Sequence, residues 1–317
     1  MEEELFTGGI PSPKDDRDFI YNDIAKSTPP FDWMFEYNVE NTVGTIPYKD
    51  QKQTSSCGGF AWSYLSYVLD PTNREEKSPY FIYAHTNAPG GGSAGRTNCD
   101  FILKHGVASE SICPLPNPLT EANIINKANI TPEAFKDALT NKSKSYLSAS
   151  PNIDSVAQAI RDNKGAVLFV CGENNGTWTS SLPRPPKQTS DLWAHWLFAG
   201  KAKLINGKKH IGVLNSWGNV GDKGWQWLPE EYFNYPLIRE CWVMTYDDQL
   251  IKKYIFTKTM RRGSRGVDVK MLQTKLGIKA DGIFGPATEF EVKEFQHKYN
   301  LVADGIVGKL TLIALNQ

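Results

Sequence analysis

Cys57 closes the polar run Asp50-Gln51-Lys52-Gln53-Thr54-Ser55-Ser56 and opens an apolar one; His195 and then Asn215-Ser216-Trp217-Gly218 follow far downstream. A thiol is a weak nucleophile until a neighbouring base or a positive field makes it a thiolate. Phe60, Tyr64, Leu65, Val68 and Leu69 recur at helical spacing, which predicts a helix over 57–69 with the cysteine at its start. The partial positive charge of that helix end stabilises a thiolate. Gln51, six residues earlier in a polar loop, is near enough to donate its side-chain amide to an oxyanion also held by the Cys57 backbone N–H. Taken alone, a cysteine at a helix start is more commonly a small buried hydrophobe. Together, Gln51, Cys57, His195 and Asn215 are the equipment of a thiol that attacks amide carbonyls.

The elements that must position this set follow from the next block. Asn206-Gly207 separates two strand-like runs, the strongest short-range signal for a hairpin. Folding there brings the chain around Asn215–Gly218 beside His195, whereas His210 falls opposite about Lys203, away from that end. His195 is therefore the expected base and Asn215 its orienter. His85, His105 and His297 have no comparable partner pattern.

With these residues the chain resembles the papain-like cysteine peptidases, the family of papain and the cathepsins. The likeness spans roughly residues 30–245: Phe31-Asp32-Trp33, Asp50-Gln51 before Cys57, Phe60-Ala61, His195 opening a strand, Asn215-Ser216-Trp217-Gly218 and Gly224-Trp225. It implies an α+β fold of two lobes, a helical one carrying Cys57 and a β-rich one carrying His195 and Asn215, with the substrate cleft between them. Gly91 and Gly92 in Pro89-Gly90-Gly91-Gly92-Ser93 resemble the glycine pair along which the family lays an extended substrate, and Trp217 is a further substrate-binding candidate by the same likeness. Two positions depart from the pattern: Gly58 stands where the family usually has Trp, and Thr54 where it has a disulfide cysteine. Gly58 and Gly59 cost the helix about 1 kcal/mol each relative to alanine, which implies close packing against the opposite lobe or an altered cleft floor.

The expected catalytic domain begins almost at Met1, with no inhibitory propeptide; Gly9–Asp18 resembles the short leader of some bacterial and viral relatives. No apolar h-region follows Met1, so neither a signal peptide nor a membrane span is expected. The five cysteines (57, 99, 113, 171 and 241) are an odd number in a chain too long to need stapling, and a mostly reduced protein is expected, with a Cys99–Cys113 bridge left open. No metal or cofactor is expected. The loop Glu173–Asp191, rich in Pro and Gly, leads straight to His195; it is either a cleft wall or a surface insertion.

Three hundred and seventeen residues exceed what one core usually serves. The reading divides them into a catalytic unit over 1–248, a linker over 249–260 and a small three-helix domain over 261–317. In the last, Asp281-Gly-Ile-Phe-Gly-Pro-Ala-Thr288 returns 23 residues later as Asp304-Gly-Ile-Val-Gly-Lys-Leu-Thr311. Each Asp-Gly makes a tight turn and the next Gly starts a helix. The apolar faces read as Val269, Leu272 and Leu276, then Val292, Phe295 and Tyr299, then Leu312 and Leu315. This tail resembles the small peptidoglycan-binding domain of bacterial and phage wall enzymes, which implies attachment to cell-wall glycan or stem peptide. Nine Lys or Arg against six Asp or Glu make it only mildly basic, and a net charge of zero for the whole chain gives no sign of nucleic-acid binding.

The expected activity is a cysteine endopeptidase acting on a protein or peptide and held at the bacterial cell wall, outside the cell or on a virion. Two alternatives stand beside it: a peptidoglycan endopeptidase, and a non-catalytic wall-binding or virion component, against which the intact Gln51, Cys57, His195 and Asn215 argue.

Overall fold

A computed structural model describes residues 7–13, 21, 28–70, 74–187, 190–234, 236–245 and 254–316. The chain divides into two compact units, one of residues 1–12 and 30–246, the other of residues 13–29 and 247–317. Most of the leader beyond Pro13 and the first part of the expected linker lie outside the described residues. Among the described residues no helix is long and apolar enough to cross a membrane.

In the first unit, helix Cys57–Leu69 is apolar on every side and buried along nearly its whole length, as a helix hydrophobic all round must be. Trp62 meets Trp196 edge-on with centroids 4.9 Å apart, and Tyr64 lies against Phe198 at 6.3 Å. Its other sides receive helices Pro79–Thr86 and Gly95–His105. The glycines at 58 and 59 are explained here. A Cβ on Gly58 would lie 2.1 Å from Ser93 Oγ, and one on Gly59 would lie 2.6 Å from the Pro79 carbonyl. The close packing expected of them is thus made inside the helical lobe and not against the opposite one.

Nine strands are present among the described residues: β1 (Gly9–Ile10), β2 (Tyr37–Asn38), β3 (Ser93–Ala94), β4 (Ser145–Ala149), β5 (Ala166–Gly172), β6 (Trp193–Ile205), β7 (Lys208–Leu214), β8 (Trp225–Pro229) and β9 (Ile238–Thr245). Seven form one sheet in the order β4-β9-β5-β6-β7-β8, with β2 added on β6. All of its pairs are antiparallel. The hairpin turns at Asn206-Gly207, both with positive φ, and Lys203 pairs with His210, as the spacing predicts. Phe198 pairs with Leu214, the last residue of β7, so Asn215, just beyond it, emerges toward His195. A register shift between Ala199 and Lys201 surrounds Gly200, whose Cβ would meet Val39 at 2.7 Å.

The second unit holds helices Val267–Lys275, Pro286–Lys298 and Lys309–Leu315. Its repeat is held by two glutamines. Gln273 Nε2 donates to Asp281 Oδ1, Thr288 Oγ1 and the Ile283 carbonyl, and Gln273 Oε1 accepts from Gly282 N–H. Gln296 does the same with Asp304, Thr311, Ile306 and Gly305. Both glutamines are buried, a placement tolerable only because every amide atom is satisfied. The buried stripe of the second helix is therefore Thr288, Val292 and Gln296. The expected Val292, Phe295 and Tyr299 stripe is corrected: Tyr299 is exposed and stacks on Phe295, with centroids 4.5 Å apart.

Candidate active site

Cys57 begins its helix, so its own backbone N–H has no intrahelical acceptor. The N–H of Trp196 points at Cys57 Sγ from 3.5 Å. Because Trp196 follows His195 on β6, the sulfur lies against the strand that carries the imidazole.

His195 Nε2 is 2.9 Å from Asn215 Oδ1. The asparagine is held from both ends: Oδ1 also accepts from Ser216 N–H, and Nδ2 donates to Gln226 Oε1 at 2.8 Å. Gln226 Nε2 in turn donates to the carbonyls of Trp178 and Ser180, at 2.7 and 2.9 Å. With an oxygen acceptor opposite it, Nε2 carries the proton. Nδ1 keeps its lone pair, and it is buried without a hydrogen-bond partner. Sequence reading missed Gln226; the only signal was its place directly after Gly224-Trp225. The same bonds tie the described part of the 173–191 loop to Gln226 through its carbonyls at 178 and 180. Trp178 is buried against Trp193 and Trp217, and Trp217 stacks on the His195 ring at 4.5 Å.

Gln51 lies in the buried loop before Cys57, as its spacing implies, but its amide is turned inward. Nε2 donates to the Thr54 carbonyl at 2.6 Å, and Oε1 accepts from Ser216 Oγ at 2.6 Å. Thr54, in the place of a disulfide cysteine, bonds its hydroxyl to the Gln51 carbonyl and to Ser56 Oγ. All five cysteines are free, so no Cys99–Cys113 bridge forms.

The site is covered by the chain's own leader. β1 pairs in parallel with β3, and the Gly8 carbonyl accepts from Ser93 N–H at 3.0 Å. A Cβ on Gly8 would lie 1.9 Å from the Ser55 carbonyl oxygen, and one on Gly9 would lie 3.0 Å from His195 N. Gly92, at φ +79°, faces the Gly8 carbonyl, and Gly91, at φ +91°, faces Ser55 Oγ. Two glycines thus thread between the nucleophile loop, the glycine wall and β6, where no larger residue fits. Beyond them, Ser12 N–H donates to Glu240 Oε1 at 2.6 Å, and Ser12 Oγ accepts from Arg96 N–H. The segment that resembles a short leader thus begins as a strand laid across the groove beside Cys57.

Cys57 and His195 are consequently each 0 % exposed. Burial pushes the Cys57 thiol up to about 12, outweighing the N–H groups of Trp196, Gly8 and Gly58 that favour the thiolate. Burial likewise pulls His195 down to about 4, against the bond to Asn215. In this covered state burial favours the neutral form of both groups.

The first unit has the fold of the papain-like cysteine proteases. It is similar to xylellain, a cysteine protease from Xylella fastidiosa, at 21% identity and a TM-score of 0.60, covering 75% of this chain and 95% of that one. It is also similar to digestive procathepsin L 3 of Tenebrio molitor (16% identity, TM-score 0.58, 69% and 71% covered) and to a recombinant stem bromelain precursor (19%, 0.57, 76% and 77%). Residues 265–315 match the family model of the peptidoglycan binding domain. No curated protein matches the chain by sequence.

Proposed function

We propose that the protein is a cysteine endopeptidase, made latent by its leader and tethered to bacterial cell wall through residues 261–317. The observation that carries the reading is the 2.9 Å contact of His195 Nε2 with Asn215 Oδ1 beside the strand that touches Cys57. Asn215 holds Nε2–H and leaves the Nδ1 lone pair on the ring beside the strand that touches Cys57 Sγ.

The chemistry follows from those atoms. The Cys57 proton passes to His195 Nδ1, and the thiolate attacks the scissile carbonyl carbon. The resulting oxyanion takes the Cys57 N–H and, once Gln51 turns from the Thr54 carbonyl, its Nε2 amide. The tetrahedral species collapses as His195 gives its proton to the departing amine, leaving a thioester on Cys57. Water, losing a proton to His195, then cleaves the thioester and releases the acid. Gly91, Gly92 and Trp217 border this path, the first two along the backbone of the substrate and the last beside the imidazole.

The leader fits an inhibitor better than a substrate. The Gly8 N–H is among the backbone donors to the sulfur, and the Gly8 carbonyl accepts from Ser93 N–H, so the segment is held as a strand across the thiol. Several structural neighbours are proenzymes or precursors by their titles, which agrees with a latent form.

The test compares wild type and Cys57→Ala on an unfolded protein and on purified peptidoglycan, with the released ends identified by mass spectrometry. Cys57-dependent cuts in protein alone are expected. The peptidoglycan-binding match favours a second reading, a lysin, and cuts in stem peptides or cross-bridges establish it instead. Hydrolysis that survives Cys57→Ala removes both.

A further inference from the structure

The nucleophile loop is tied to the glycine wall through a carboxylate that has no part in the mechanism above. Glu121, at the start of helix Glu121–Ile124, accepts from Ser55 N–H with Oε2 at 2.7 Å and from the Tyr83 hydroxyl with Oε1 at 2.7 Å. The Tyr83 oxygen accepts from Gly92 N–H at 2.8 Å. A Cβ on Gly91 would stand 3.6 Å from Glu121 Oε1 and 3.0 Å from Ser55 Oγ. The carboxylate is therefore flush with the wall, beside a residue two before the nucleophile. Burial, and then the bond to this carboxylate, hold the Tyr83 hydroxyl well above its usual range, so Tyr83 stays a neutral donor.

Glu121 thus bonds only to neutral donors, Ser55 N–H and Tyr83 O–H, and among the described residues it makes no ion pair. An anion fixed in a substrate groove and lacking a cation is a specificity element in search of its counter-charge. Gly8 of the leader already runs between Ser55 and Gly92, and on the peptide-cleft reading the acyl-side residue of a substrate attacked by Cys57 follows the same path past Ser55 and Gly91. We infer that Glu121 selects substrates with a cationic side chain, lysine or arginine, on the residue that supplies the scissile carbonyl. This rests on the reading of the Cys57 groove as a peptide cleft.

The test separates binding from turnover. Full-length Cys57→Ala carrying Gly8→Val, which displaces the leader, is titrated by calorimetry with two peptides, one with arginine and one with neutral citrulline at the acyl-side position. The arginine peptide is expected to bind about tenfold more tightly, equivalent to about 1.4 kcal/mol. Adding Glu121→Gln is expected to bring the ratio to about one. Because both peptides meet the same variant, a general weakening of the loop cancels. Should Glu121→Gln fail to fold, the ratio in the unsubstituted carboxylate protein is expected to fall between about 0.05 M and about 1 M salt, as screening requires. A ratio near one at low salt, a ratio unmoved by Glu121→Gln or by salt, or binding of neither peptide overturns the inference. Absence of wild-type hydrolysis, by contrast, overturns only the catalytic reading.

Discussion

At the scale of residues, the site is a chain of orientations that ends on backbone. Carbonyls at 178 and 180 fix Gln226, Gln226 fixes Asn215, and Asn215 fixes the proton on His195. Groups two bonds removed from the chemistry matter because they decide which imidazole nitrogen is basic. Gln226→Ala frees Asn215 to rotate and is expected to lower kcat about tenfold with little change in KM, measured on a soluble peptide. Asn215→Ala is expected to slow turnover without abolishing it, since it orients and does not react. Wild-type rates in either variant discard this role. That Cys57, His195 and Asn215 come together was expected from sequence because their types are chemically rare in combination. Gln226 was not, because a glutamine two residues past a glycine has no chemical signature until its neighbours are known.

At the scale of elements, the proposed latency rests on the leader strand. Its fit depends on two glycines, and Gly8→Val places side-chain atoms where a Cβ alone would stand 1.9 Å from backbone. The variant is expected to release the strand and raise hydrolysis of a soluble peptide several-fold; a rate equal to wild type shows that the leader does not restrain the site. Acid has the same direction. His195 sits near 4 while covered and near its ordinary 6.5 when exposed. The covered form therefore binds fewer protons between those values, and its advantage is lost as pH falls through that window. Reactivity of Cys57 toward a dithiodipyridine, measured against Gly8→Val, is expected to converge on the variant as pH is lowered from about 6.5 to about 4. The helix Cys57–Leu69 and the Asn206-Gly207 hairpin were readable from periodicity and turn chemistry. β1 was not, since two residues carry no alternation.

At the scale of the whole molecule, catalysis and wall attachment are assigned to different compact units. The tail forms its own core around Gln273 and Gln296. Deleting residues 261–317 is expected to spare cleavage of a soluble peptide while abolishing co-sedimentation with purified cell walls. Sedimentation that survives the deletion moves the anchor elsewhere. Gln273 and Gln296 each stand eight residues before an Asp-Gly and repeat at the same interval of 23. The period was visible in the turns, but the glutamines' inward direction was not, because a polar side chain is placed inside only by partners that sequence does not display.

What the amino-acid order determined by itself was local and chemical: the nucleophile helix, the hairpin, the Gln, Cys, His and Asn set, and the repeated turns. Each follows from backbone preference or from a residue type that few environments tolerate. Tertiary structure alone decided the direction of the Gln51 amide, the partner of Asn215, the carboxylate at Glu121 and the cover over Cys57. Those depend on residues from about ten to well over a hundred positions apart meeting within hydrogen-bonding distance. The cover also favours the uncharged forms, because a thiol and an imidazole shut away from water are most stable neutral.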